Sequence, residues 1–296
     1  WNANNFLIMN KCVFNSSNKT PKIAININKW IYADLLETKN TIERNIKDYR
    51  FDEASRNAYQ FVWHSYCDWY LELSKTILYS NDKKAIKEIR DVSSYIFKQI
   101  LILMHPFIPF VTEQIWLKNK LDSSGKNYLM LANWVFGKPK RDKHSKEVEK
   151  IINIITEIRS FKNELNVTPG SFIDISIERI KNGNKIFFNK NSVVLKKLGR
   201  INSIFLKDQK KSSATLVISG ELFKLYFDQS VDLNLIKENL LKRKTKFQED
   251  LNKISQKLSN KAFVNKAPKN IVDQEKTNYN ILKNDIQKIQ LTIESL

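Results

Sequence analysis

The sequence predicts a mainly α protein in three parts: a helical bundle, a small α+β unit and a C-terminal antiparallel coiled-coil hairpin. Three observations lead there. Up to Trp116, apolar residues recur at three- and four-residue steps, the helical period. Near residue 172 the period switches to two, the mark of a half-buried strand. From Leu233 onward apolar residues return every seventh position, the heptad signature. The parts are expected at 1–136, 137–230 and 231–296.

Residues 1–12 read as a helix already in progress, with Ala3, Phe6, Leu7 and Asn10 at helical spacing. The expectation is a C-terminal piece of a longer protein. A polar loop at 13–27 leads to a helix over 28–50 carrying Trp30, Ile31, Leu35, Ile42, Ile46 and Tyr49. The stretch 52–79 organises the bundle. Asp52 is placed as its N-cap, and Ala54, Ala58, Phe61, Val62, Tyr66, Trp69, Leu73 and Ile77 form its apolar stripe. Its aromatic load (Tyr59, Phe61, Trp63, Tyr66, Trp69, Tyr70) predicts burial on most sides, as for a central bundle member. A helix over 82–104 is expected to turn Ile86, Ile89, Val92, Ile96, Phe97, Ile100, Leu101 and Met104 inward. Pro106 and Pro109 in HPFIPF (105–110) end it, and a short amphipathic turn follows. LMLANWVF (129–136) packs on the bundle, and GKPKRDKHSK (137–146) is a charged linker.

The next helix, 146–165, stops at Pro169-Gly170. FIDISIERI (172–180) is a strand with Ile173, Ile175 and Ile177 on one side, and KNGN (181–184) is a turn. A helix near 185–198 and strands at 201–206, 214–219 and 222–227 complete the α+β unit. In the last part Leu233, Leu240, Phe247 and Ile254 face Val272, Tyr279, Ile286 and Ile293 across a hinge at 259–268.

A formal net charge of +19 points to a polyanionic partner, nucleic acid first. The excess is spread over all three parts, so the partner would lie along the chain. Cys12 and Cys67 are too few for a metal knuckle or a disulfide framework, and such usage fits a reducing cytoplasm. Cys67 is read as a small buried hydrophobe. No apolar run approaches the roughly 20 residues that span a bilayer, so no membrane partner is expected.

Nothing in the residues suggests covalent chemistry. His64, His105 and His144 read as packed or capping side chains, no acid pair or Cys/His cluster has ligand spacing, and the six glycines form no phosphate loop. No catalytic residue, no metal and no cofactor is therefore assigned to this segment. Two clusters can bind RNA. Asn5, Phe6, Asn10 and Lys11 combine amides for base edges, a ring for stacking and a cation. Lys242, Arg243, Lys246, Lys253 and Lys257 can run along phosphates, each contact releasing a counterion.

YCDWYLELSK (66–75), LMHPFIPFVTEQIW (103–116), EIRSFKNELNVTPG (157–170) and KLSNKAFVNKAP (257–268) carry a resemblance. Together they resemble the class I aminoacyl-tRNA synthetases, in particular the valyl-tRNA synthetase family, over essentially the whole chain. The resemblance implies that 1–136 is the anticodon-binding domain, 137–230 a connecting domain and 231–296 an arm for the tRNA elbow. It implies Asn5, Phe6, Asn10 and Lys11 at the anticodon; YCDWYLE and HPFIPF, aromatic stretches of a bundle, are read as packing. It implies a monomer that binds tRNA(Val). ATP and Mg would serve N-terminal catalytic and editing domains that this sequence lacks, as it lacks the HIGH and KMSKS signatures. The isoleucine sibling commonly ends in a cysteine zinc module, but here no Cys follows Cys67. The alternative is a non-enzymatic helical scaffold whose coiled coil binds RNA or a protein.

Overall fold

The computed structural model describes residues 1–14, 19–121, 128–135, 137, 143–165, 167–178, 180, 182–207, 214–227, 233–260 and 269–295. They form two compact units, Trp1–Ile152 and Asn153–Leu296.

The first unit is helical: α1 (Asn2–Met9), α2 (Asn26–Lys47), α3 (Phe51–Gln60), a segment wound in the wider π form (Phe61–Tyr70), α4 (Leu71–Leu78), α5 (Lys83–Met104) and α6 (Pro109–Lys118). α3, the π segment and α4 run on as one rod. The wider winding bonds residues five apart, so the five-residue step from Phe61 to Tyr66 leaves both rings buried. Asp82 caps α5, accepting from the backbone N–H groups of Lys84 and Ala85. Pro109 opens α6, where its missing donor costs nothing. Asp52 is not the N-cap; that position falls to Arg50, and Asp52 lies inside the first turn, where a carboxylate favours the positive end of the helix. Tyr49 is exposed and left-handed at φ 58°, because α2 already ends at Lys47.

Burial of the aromatic rod is one-sided. Tyr66, Trp69 and Tyr70 are in the core, whereas Tyr59 and Trp63 are 54% and 58% exposed and stack on each other at 6.0 Å. HPFIPF is also not core: Phe110 is 91% exposed, and α6 turns Thr112, Ile115 and Trp116 inward instead. His105 shares a 2.8 Å hydrogen bond with Thr112 Oγ1. Cys12 is the buried thiol, and burial pushes it up to about 11; Cys67 is only half-buried.

A polar network ties α2, the rod and α5 together. The Tyr70 hydroxyl donates to Asn28 Oδ1 at 2.8 Å and shares a 3.1 Å hydrogen bond with Ser93 Oγ. Tyr66 donates to the Ser93 carbonyl at 3.0 Å. Burial raises the pKa of both tyrosines, which keeps them protonated donors. Asn28 in turn donates to Glu88 Oε1 at 2.9 Å, and the same oxygen accepts the backbone N–H groups of Ala24 (2.8 Å) and Ile25 (2.7 Å). Glu88 thus satisfies orphan donors at the start of α2 from another helix. Hydrogen bonds to a charged group are worth about 1.5–3 kcal/mol. Glu88→Ala should therefore cost about 2–4 kcal/mol in urea denaturation, while a loss under about 0.5 kcal/mol would show that water replaces the carboxylate.

α7 (Lys143–Glu164) starts three residues before the expected helix, within the stretch read as a linker. The second unit then adds β1 (Ile173–Glu178), α8 (Asn182–Lys190), α9 (Ser192–Gly199), β2 (Ile201–Phe205), β3 (Ala214–Ile218), β4 (Glu221–Tyr226), α10 (Leu233–Ser259) and α11 (Lys269–Ser295). At 182–184 α8 replaces the expected turn, and the helix expected at 185–198 is two, broken at Asn191. The sheet order is β2-β1-β4-β3. β1 and β2 are parallel, which requires a long crossover, here α8 and α9; β4 is antiparallel to β1 and β3. Ile173, Ile175 and Ile177 are all buried, as the alternation demands.

α10 and α11 form the antiparallel hairpin. Lys244 donates to Gln290 Oε1 at 2.6 Å and Lys257 pairs with Glu275 at 3.1 Å, so partner numbers fall on one helix as they rise on the other. Its root seats on the α+β core through buried Leu240, Ile289 and Ile293, with Thr292 Oγ1 donating to the Thr215 carbonyl at 3.3 Å. Most of the expected hinge, 261–268, lies outside the described residues.

Candidate nucleic-acid interface

The first cluster sits on α1. Asn5 is exposed and Phe6 half-buried. Folding brings in a residue that sequence reasoning missed: the Lys75 ammonium lies 5.6 Å from the centre of the Phe6 ring, a cation–π distance. Lys75 belongs to YCDWYLELSK, but only the packing of α4 near α1 reveals the pairing. Asn10 ends α1, donating Nδ2 to the Phe6 carbonyl at 2.8 Å, while its own carbonyl accepts from Arg90 Nε at 2.8 Å. Lys11 follows, exposed, at φ 58°. Asn10 is thus spent on the backbone. Phe6 and Lys75 pair a ring with a cation, exposed Asn5 precedes Phe6 on α1, and Lys11 with Arg90 supplies charge at the end of the helix. Neighbouring Asn4 is fully buried and accepts from Asn119 at 2.6 Å, a packing role.

The second cluster lies on α10. Lys242, Lys246, Lys253 and Lys257 follow one another at steps of four, seven and four, which places them on one helix face. All four are exposed. The row spans about 22 Å at 1.5 Å per residue. Lys253 and Lys257 also touch Asp250 and Glu275, both at 3.1 Å. Such exposed pairs are worth about 0–1 kcal/mol and yield readily to a phosphate. Arg243 is separate from this row: half-buried, it pairs with Glu164 at 3.3 Å and lies 5.1 Å from the centre of the Phe247 ring. It is engaged at the root of the hairpin.

Among the described residues no group of three or more His, Cys, Asp and Glu side chains is placed to hold a metal ion. Among the described residues no helix is long and apolar enough to cross a membrane.

Residues 232–296, which include the lysine row, match the model of the valyl tRNA synthetase tRNA binding arm. The full chain is 65% identical to the valine–tRNA ligase of Pelagibacter ubique, covering 34% of it. It is 31% identical to that of Bartonella quintana, again over the full chain and 33% of the relative. Against that of Zymomonas mobilis the figures are 28%, the full chain and 34%. The chain therefore spans about a third of the length of the curated relatives it matches. Residues 28–177, from the buried Asn28 to the strand β1, match the model of the anticodon-binding domain of tRNA ligase. That match takes in about half of the chain and every helix joined by the Tyr70–Asn28–Glu88 network, and by it the chain belongs to the tRNA-ligase anticodon-binding family.

Proposed function

We propose that this chain is the tRNA-recognition portion of a valine–tRNA ligase. It binds tRNA(Val) through the anticodon, near Asn5, Phe6 and Lys75, and through the elbow, along the lysine row of α10. Catalytic and editing domains elsewhere in the ligase activate valine with ATP and Mg, attach it to the tRNA 3′ end and remove misactivated amino acid. The working state is a cytoplasmic monomer.

The observation that carries the reading is the hairpin: four lysines in register on one face of α10, within a stretch matching a tRNA-binding arm. The scaffold alternative calls for binding that ignores tRNA identity and survives moderate salt, and two family models that both name tRNA ligases weigh against it. An electrophoretic shift tests the choice. tRNA for valine should bind at least about tenfold tighter than tRNA for isoleucine, a difference of about 1.4 kcal/mol. Equal binding of either tRNA and of a random acidic polymer would sink the proposal.

A further inference from the structure

We propose that the pocket between the C-terminal half of α7 and the end of α9 is an oxyanion site that takes a phosphate of the tRNA backbone. This rests on the tRNA reading above. The pocket has a volume of about 280 Å³ and is lined by Arg159, Lys162, Asn163, Gly199 and Arg200, among others. Three of these are cations, and no carboxylate lines the pocket among the described residues.

Each cation contacts a neutral group. The Arg159 guanidinium donates twice to the Leu198 carbonyl, from Nε at 3.1 Å and from Nη2 at 2.7 Å. Lys162, only 2% exposed, donates to the Ser171 carbonyl. Arg200 closes α9 in the left-handed conformation at φ 53°, its guanidinium 5.5 Å from the centre of the Phe172 ring. The Ser171 carbonyl and the Phe172 ring orient Lys162 and Arg200 without carrying a full negative charge. Burial, then the charges of Arg200 and Arg159, push the Lys162 ammonium below the usual lysine range. A buried ammonium between two guanidiniums is costly, and an anion bound among them offsets the cost. Phosphate suits the set, since arginine forks and a lysine point charge are the usual donors to phosphate oxygens. Arg200 lies outside both matched segments, 28–177 and 232–296, so neither family model accounts for it.

Arg200→Asn removes the guanidinium and keeps the left-handed backbone, which asparagine tolerates. Lys162→Met removes the ammonium and keeps the length of the chain. Two measurements on the full chain follow: melting temperature against inorganic phosphate, and tRNA affinity against salt. The native chain should melt higher as phosphate is added, and both variants should lose that response. Each variant should also flatten the log–log salt slope for tRNA by about one. Variants that keep the native phosphate response would overturn the site. Loss of that response with an unchanged tRNA slope would overturn the RNA as source of the phosphate. A native chain that responds to phosphate yet binds no tRNA would sustain the pocket and overturn both its RNA source and the function proposed above.

Discussion

Replacing Trp69 with alanine should destabilise the bundle by about 3–5 kcal/mol, the range for removing a large aromatic from a packed core. Trp69 is buried beside Tyr70, in the segment whose wide winding packs its rings against α2 and α5. A small domain has only about 5–15 kcal/mol to lose, so the variant should melt far below the native chain. Trp63 provides the control. It sits six residues earlier on the same rod but faces solvent, and Trp63→Ala should cost no more than about 1.5 kcal/mol, the upper end of what its stacking on Tyr59 is worth. Urea denaturation of both variants separates the cases. If Trp69→Ala kept its stability and lost RNA binding, that ring would be part of the interface.

Replacing Lys242, Lys246, Lys253 and Lys257 together with glutamine should give the largest loss of tRNA binding. Four phosphate contacts, at about 0.7–0.9 each, steepen the log–log salt slope by about 3. The gap between native chain and variant should then narrow about 50-fold between about 50 and 200 mM salt. Stability should barely move, because all four side chains are exposed and their ion pairs are weak. A slope equal to the native one would take this row out of the interface.

These residues show what was legible beforehand. The lysine row was, because helical spacing alone decides which side chains share a face. Ile173, Ile175 and Ile177 were, because alternation and burial follow from the same geometry. Phe110 was not. Motif and hydrophobicity both suggest packing, but the orientation of α6 after Pro109 turns that ring outward. By sequence Arg243 groups with its basic neighbours, yet one step around the helix it meets Glu164, a partner 79 residues back in the chain. Glu88 and Lys75 act on groups far from them in sequence, and local patterns carry no trace of either.

The seat of the hairpin has a consequence for experiments in different buffers. Its root rests on the side chains of Leu240, Ile289 and Ile293, while the half-exposed Arg243–Glu164 pair adds only about 0–1 kcal/mol. Electrolyte weakens Coulombic contacts but leaves oily ones intact, and sulfate or phosphate strengthens them. Aim and grip therefore rest on separate physics: concentrated brine should strip off the nucleic acid while the boom keeps pointing where it did.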